Sequence, residues 1–551
     1  MSQRLSRLRR DGFWLVPLLS VAAVLQLVNI TKWSIWHDEA FTIMLIDYDW
    51  SEILRRTALD VHPPLYYLVL KAWTSVFGSS LLAARSLSVL ATLLLMLVMY
   101  FLVKRLFDVW AARLSLFFMV IGPFIIRYAQ EARMYAIAAL LVAAATYLLV
   151  VALDKNNKWY LYGYALVMAL AIYTHYYTLF MVPVYWLYIL SRTKFRARPR
   201  AKTINLFNIH WWGANSLILV LLAPWLPKAI KQFTSIQGAF WIPPVDYTTG
   251  FDTLVNFLTY QFQWQIKGLM LAWLLSLVAG LLVVLWLALV KNKPERPRLW
   301  LLVAYSFLPP IIIFALSLPP WQPIYNNRYF SLTAVAFYAL LGILIVAKPI
   351  NRWRLVQVLA FGLITATLIY GVYNVQRIGN YNPDRNEYYT MKDLAQAIND
   401  NYQAGDAIVS TNLSTYFDIR YYNRTSAQVR LHVERVPDGI GNTSLVYDRS
   451  DILLLDYNQL KPKTGRIWLV TDSHDAQPQV PANWQRQQRT QAGYAAIQEY
   501  LIVGQSEVDE AKKADGMVCA QVITTARNRQ TGEIREFPNA CLPEGWEALP
   551  R

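Results

Sequence analysis

A chain of 551 residues that is 56% apolar and only 16% charged is excluded from the ordinary soluble globular proteins, in which about a quarter of residues carry charge. Its 21 Trp and 34 Tyr fit a protein whose main solvent is lipid. The net charge of +17 leaves nucleic-acid binding as a rival, and the placement of the charges decides against it.

Eleven apolar runs follow one another, at 13–30, 81–103, 110–126, 134–153, 159–174, 177–190, 209–230, 267–290, 299–318, 329–347 and 353–373. Each is near the ~20 residues a helix needs to cross a bilayer, although the two within 159–190 are short and Tyr-rich. The first run follows Arg4, Arg7, Arg9 and Arg10 as a signal peptide would. Gln26, Asn29 and Lys32 stand where a cleavage site belongs, so the run reads as a retained anchor.

With the N-terminus inside, the inner segments are 1–12, 104–113, 154–158, 191–202, 291–298 and 348–354. They hold 22 Lys and Arg against four acids, a net of +18, so the rest of the chain sums to −1. That asymmetry is what the positive-inside rule asks of eleven spans with the N-terminus cytoplasmic and the C-terminal part extracytoplasmic. The basic stretches "SRTKFRARPRAK" and "KNKPERPR" lie between apolar runs and read as juxtamembrane anchors facing membrane lipids, not as nucleic-acid sites.

The outer connections carry different residues. After the first run come "SIWHDEAF", with His37, Asp38 and Glu39, and "DVHPPLYY", with Asp60 and His62. After the third comes "RYAQEARMY", with Arg127, Glu131, Arg133 and Tyr135, and after the fifth "THYYT", with His175 and Tyr176. The seventh leads to "FWIPPVDY" and the ninth to "PPWQPIYNNRYF", with Arg328 and Tyr329. Ionisable residues at a membrane edge are costly and commonly functional, so these loops predict one composite site at the outer leaflet. Arginine grips phosphate oxygens as a fork, aromatic faces stack on sugars or isoprenoid chains, and a carboxylate can take a proton from an attacking hydroxyl. Transfer of a sugar from a lipid phosphate fits that set, and outside the membrane, where there is no ATP, a pre-activated lipid-borne donor is needed.

The stretches "WHDEAF", "DVHPPLYYLVLKAW", "ARSLSVL", "RYAQEARMYA", "YTHYYTLF" and "NRYF", over residues 10–350, together resemble the GT-C glycosyltransferases of the dolichyl-phosphate-mannose protein mannosyltransferase type. The resemblance is to their bacterial relatives in particular, which are related to the aminoarabinose transferase of lipid A. It implies a multi-span fold, an outer-leaflet site, a polyprenyl-phosphate-linked sugar donor and an inverting transfer. In that family the acidic pair of the first outer loop is central, and here it falls on Asp38 and Glu39. Inversion is a single displacement needing one base on the acceptor side, while the phosphate leaves without an acid of its own. Asp38 is the expected base. Glu39 is counted with it as catalytic; turned about 100° away if the pair continues helically, it is expected to orient a hydroxyl, a basic side chain or a helix end. Both could instead serve as acids at a helix N-terminus.

His62 is expected to bind donor phosphate or position Asp38, with a structural turn histidine as the alternative; Asp60 reads as a cap or turn residue. Arg133 and Arg328 are the phosphate candidates, with lipid-headgroup contact the alternative for Arg328. Glu131 is counted in the substrate-binding set, with a surface ion pair to Arg127 at i,i+4 spacing as the alternative. Tyr135, His175, Tyr176 and Tyr329 complete the expected substrate-binding set. There is no HExxH and no spaced Cys/His cluster, so no obligatory cofactor is expected; a divalent metal is possible but not indicated.

From residue 374 the chain turns polar, with a helix expected over 388–402, a strand over 407–411 and further strands at "DILLLDY" and "RIWLVTD". The expected architecture is thus an all-α GT-C membrane domain over 1–373 and an extracytoplasmic α/β domain over 374–551. The expected function is glycosyl transfer, hexosyl or pentosyl, to a glycan, lipid or protein acceptor at the plasma membrane. The rival is a transporter or flippase of lipid-linked sugars, against which stand the lack of an internal repeat and the clustering of polar residues in outer loops.

The only two cysteines, Cys519 and Cys541, fall in the terminal domain, where an oxidising outside would let a disulfide persist. An impermeant maleimide should label intact cells only after reduction. Labelling that needs cell lysis would place the domain inside and overturn the orientation.

Overall fold

The computed structural model describes residues 2–194, 204–235, 242–261, 268–291, 296–347, 354–378, 381–382, 387–388, 390–472, 478–503, 524–529, 534–537 and 546–549. Cys519 and Cys541 lie outside the described residues.

Every predicted apolar run falls on helix. The first is α1 (Ser2–Leu27); three short helices follow, α2 (His37–Asp47), α3 (Trp50–Leu59) and α4 (Leu65–Phe77). The bundle continues through α5 (Leu81–Leu106), α6 (Val109–Val120), α7 (Pro123–Ala129), α8 (Tyr135–Lys155), α9 (Lys158–Thr174) and α10 (Val182–Lys194). Then come α11 (Ile209–Leu222), α12 (Leu226–Ser235), α13 (Thr249–Thr259), α14 (Leu269–Lys291), α15 (Arg296–Leu316), α16 (Ser331–Ile345) and α17 (Arg354–Ile378). Among the described residues six helices are long and apolar enough to cross a membrane, and eight if each bent pair is one span.

Two expected spans are not straight. The run at 110–126 bends by 59° between α6 and α7, where Gly122 and Pro123 interrupt the hydrogen-bond ladder. The run at 209–230 ends at Leu222, and α12 turns 68° away past Pro224. Leu226, Ile230 and Phe233 of α12 are exposed on one stripe, Lys228 and Lys231 are exposed on another, and Ala229 and Gln232 are buried between. A short helix so divided is built to lie in an interface, apolar side toward acyl chains and lysines toward headgroups. The run at 177–190 begins as a 3₁₀ turn, Tyr176–Met181, before α10. The final apolar helix runs through Ile378, past the expected domain limit.

The charges sort by side. Asp154 pairs with Arg105 and Arg192, each at 3.0 Å, and Arg298 donates to the Leu106 carbonyl at 2.8 Å, so four of the predicted inner segments meet. The residues of the outer connections gather at the opposite end of the bundle.

Beyond α17 a short hairpin, β1 (Tyr381–Asn382) and β2 (Glu387–Tyr388), leads to α18 (Met391–Asn401), β3 (Ala407–Ser410) and α19 (Leu413–Tyr422). Strands β4 (Val429–His432), β5 (Leu453–Leu454), β6 (Arg466–Asp472), β7 (Trp484–Ala492) and β8 (Ala495–Ile502) complete a sheet of order β5-β4-β3-β6-β8-β7. Its first four strands are parallel and the β7–β8 hairpin is antiparallel, confirming an α/β domain built on crossovers. A small sheet of order β10-β9-β11 (Ile534–Phe537, Thr524–Asn528, Trp546–Ala548) follows.

This domain packs on the segment between α1 and α5, the first of the predicted outer connections. One apolar cluster joins Phe41, Leu45 and Tyr67 to Phe417, Leu431 and Val470. Phe417 meets Phe41 edge to face at 5.8 Å, the Ile35 N–H donates to the Tyr422 hydroxyl at 2.6 Å, and Arg56 of α3 donates to Asp448 at 2.9 Å. The bundle below relies on close helix contact. At Gly342 of α16 an added methyl would come within 2.6 Å of the Leu114 carbonyl carbon, and Ser115 beside it donates to the Ala339 carbonyl at 2.8 Å. Gly342→Ala should therefore destabilise the protein by about 1–3 kcal/mol through overpacking, read as a lowered Tm in detergent; an unchanged Tm would show that α6 and α16 can move apart freely.

Candidate active site

Helix α2 begins at His37, so Asp38 and Glu39 occupy its first turn, where the free backbone N–H groups favour carboxylates. The two acids have separate fates. Glu39 is fully buried and makes a two-point pair with Arg85 of α5, Oε1 to Nε at 2.9 Å and Oε2 to Nη2 at 2.6 Å. Oε1 also accepts the Ala132 N–H at 2.7 Å, and Arg85 donates onward to the Ile30 carbonyl at 2.6 Å. The expectation of a catalytic role for Glu39 is therefore corrected. Its oxygens tie three segments together in the interior and face no opening; orienting a basic side chain is what it does.

Asp38 keeps a side chain 20% exposed while cations close round it. His37 Nε2 lies 3.2 Å from Oδ1; Arg328 Nη1 and Arg133 Nη2 lie 3.3 and 3.5 Å from Oδ2. Burial alone would push the Asp38 carboxyl up. The opposing charges, Arg133 first and then His37 and Arg328, outweigh it and hold the group at about 2. Asp38 is thus ionised at any physiological pH.

The two arginines differ. Arg133 is 2% exposed, and its Nη1 donates to the Thr42 hydroxyl at 2.9 Å and the Asp38 carbonyl at 3.2 Å. Its Nη2 also faces His62 Nε2 at 3.4 Å, so Arg133 is anchored from several sides by protein. Arg328 is 11% exposed, stacks over the Trp36 ring at 4.9 Å, and reaches the Asn326 side-chain oxygen through Nε at 3.2 Å. It stands on a single 3₁₀ turn, Asn327–Phe330.

Glu131 is in an interior ion pair, not a surface one. Arg127 Nη2 lies 2.6 Å from Oε1, and Arg127 Nε donates to the Tyr260 hydroxyl at 3.0 Å. Oε2 is buried with no hydrogen-bond partner among the described residues, and burial pushes this carboxyl up.

Beside Asp38 the aromatic residues form one wall. His175 lies 5.9 Å from Tyr135 and 5.3 Å from Tyr329, and Tyr177 lies 4.5 Å from Tyr329, ring centre to ring centre. Tyr176, expected in this wall, points away: its hydroxyl donates to the Gln232 side-chain oxygen at 2.5 Å and accepts the Trp225 N–H at 2.8 Å. The 3₁₀ turn hands its place to Tyr177. His175 is buried, and burial with the nearby charge of Arg133 drives it well below the usual histidine range, so it is neutral. Its Nδ1 accepts the Tyr177 N–H at 3.2 Å, which leaves the proton on Nε2, a buried donor with no protein partner among the described residues.

Sequence reasoning passed over Arg85, Thr42 and Gln232. Arg85 had a signal, being a lone charge inside an apolar run; Thr42 and Gln232 had none. Among the described residues no three His, Cys, Asp or Glu side chains gather as a metal site.

Residues 61–227, from the "VHPPLYY" loop to the start of α12, match the model of the family described as dolichyl-phosphate-mannose-protein mannosyltransferase. Comparison with curated protein sequences gave no match. Among solved structures the chain is similar to ArnT from Cupriavidus metallidurans in the apo state, at 12% identity over 89% of this chain and 98% of that one, with TM-score 0.55. The same protein bound to undecaprenyl phosphate matches at 12% identity over 88% and 98%, with TM-score 0.54. The fold is thus that of the GT-C multi-pass membrane glycosyltransferases. The family whose model matches residues 61–227 is the protein-mannosyltransferase type that the motifs of the sequence resemble.

If Glu39 is a strut, removing it alone should leave Arg85 as an uncompensated buried charge and cost about 3–5 kcal/mol. Glu39→Leu should lower the Tm strongly and Glu39→Leu with Arg85→Leu should recover most of the loss. A Glu39→Leu protein of wild-type Tm would contradict the assignment.

Proposed function

We propose that this chain is an integral-membrane inverting glycosyltransferase that moves a sugar from a polyprenyl-phosphate donor to an acceptor hydroxyl at the outer face of the plasma membrane. We read eleven spans, an inner N-terminus and an extracytoplasmic C-terminal domain that roofs the site and helps position the acceptor. The observation that carries the reading is one partly exposed carboxylate, Asp38, set between arginines and beside an aromatic wall at the end of the bundle opposite the Arg105–Asp154–Arg192 cluster. The structure of ArnT holding undecaprenyl phosphate supports a donor of that class.

The acceptor oxygen attacks the anomeric carbon as the bond to phosphate breaks, the acceptor proton passes to Asp38, and polyprenyl phosphate leaves as a stable anion. A carboxylate held at about 2 is a weak base, so its environment must change when donor binds. Arg328 supplies the change. Shared between Asp38 and the donor phosphate, it gives up part of its hold on the carboxylate as phosphate arrives, and the basicity of Asp38 rises with donor in place. Arg133, anchored by Thr42 and His62, stays to orient the base. His175 Nε2 and the faces of Tyr135 and Tyr329 meet the sugar and the first isoprene units.

Asp38→Asn keeps the shape and cannot accept the proton, so turnover should fall by at least ~10² with the fold intact. Arg328→Lys keeps charge and loses the fork, so binding of polyprenyl phosphate should weaken. Arg133→Lys should lower turnover more than it lowers that binding. Wild-type turnover in folded Asp38→Asn would remove Asp38 as the base, and unchanged binding in Arg328→Lys would place the phosphate site elsewhere.

A further inference from the structure

Asp60 caps the end of α3 through its backbone N–H, which bonds the Arg56 and Thr57 carbonyls at 3.1 and 3.2 Å. Its side chain is left for other work. It is 2% exposed, and one oxygen lies 3.0 Å from His62 Nδ1. The opposite ring nitrogen, Nε2, faces Arg133 Nη2 at 3.4 Å. A guanidinium has five donors and no acceptor, so Nε2 must present its lone pair. The single imidazole proton is then on Nδ1, donated to Asp60. A doubly protonated ring would set N–H against N–H at Arg133, so this contact favours the singly protonated ring.

The backbone of His62 is pinned as well. Gln232, 4% exposed, donates through Nε2 to the Thr57 carbonyl at 2.7 Å and the His62 carbonyl at 3.3 Å. Its oxygen accepts from Tyr176, whose hydroxyl accepts from the Trp225 indole N–H. Indole can only donate, so the direction of every bond in this chain is fixed. The imidazole therefore has one position and one tautomer.

We propose that Asp60 is a positioning residue: by taking the Nδ1 proton of His62 it fixes the tautomer whose Nε2 lone pair receives Arg133, and so seats the guanidinium that holds Asp38. The inference rests on the reading of Asp38 and Arg133 given above. It assigns to a residue that looked like a helix cap the task of orienting the base from two side chains away. Loss of the carboxylate frees the ring to carry its proton on Nε2, which turns an acceptor for Arg133 into a donor pointed at it.

Histidine labelled with ¹⁵N in the full chain, reconstituted in lipid nanodiscs, reads the tautomer directly, with His62→Gln identifying the resonance pair. Wild-type His62 should be neutral with the proton on Nδ1, and in Asp60→Asn the proton should move to Nε2. A wild-type ring protonated on Nε2 overturns the proposal, and that measurement stands even if Asp60→Asn does not fold. Transfer from a polyprenyl-phosphate sugar gives the second readout. Asp60→Asn should lower turnover about tenfold, the scale of one charge-assisted hydrogen bond, should lower undecaprenyl phosphate binding less, and should add nothing in the His62→Gln background. Additive losses would show that Asp60 acts independently of His62. A wild-type protein that binds no undecaprenyl phosphate would sink the donor assignment and leave the tautomer result to judge Asp60.

Discussion

The buried pair of Glu39 and Arg85 is the constraint on which the outer half of this protein depends. Taking two charges out of water at a membrane edge is expensive, and the pair is tolerated because the fork geometry is filled on both sides, by the Ala132 N–H and the Ile30 carbonyl. The consequence is positional. One ion pair fixes the first turn of α2 against α5 and against the loop that carries Glu131 and Arg133, so Asp38, the next residue back, has no freedom to leave the arginines that face it. The C-terminal domain completes the restraint from above, through Phe417 on Phe41 and Asp448 on Arg56.

Within that frame the two adjacent acids divide structure from chemistry. Rotation by one helical residue buries Glu39 completely and leaves Asp38 at the opening, where Arg133 and Arg328 compete for the same oxygen. An arginine anchored by protein and an arginine on a single 3₁₀ turn beside an indole face are different instruments. In the proposed mechanism the first sets geometry and the second is shared with an incoming phosphate. Such sharing lets a carboxylate stay fully ionised at rest and become a stronger base only when the donor is present, which limits unproductive protonation of the site.

Much of the bundle was legible because lipid imposes a simple rule: a helix must hide its backbone behind about twenty apolar residues, and each such run became helix. The breaks were not read, although Pro123 and Pro224 stand inside the runs: an average over apolar residues conceals a bend that a single missing N–H produces. The residue types of the site could be read from one set of connections, since charge at a membrane edge stands out. Their partners could not. Arg85 is visible as an isolated charge in "ARSLSVL", but that it reaches Glu39 across 46 positions of chain is a fact of packing. The exchange of Tyr176 for Tyr177 turns on the phase of a 3₁₀ turn, and Asp60 was indistinguishable from a cap until His62 and Arg133 were seen on either side of one ring.

The central claim is that a sugar leaves its lipid at this site. The direct measurement supplies purified protein in sealed vesicles with a polyprenyl phosphate carrying a labelled sugar and a mixture of envelope acceptors, and follows both sugar and lipid. The account predicts one free polyprenyl phosphate for each sugar transferred, without nucleotide. Label that crosses the bilayer still joined to its lipid, with no polyprenyl phosphate released, would contradict it and make the protein a carrier of lipid-linked sugars.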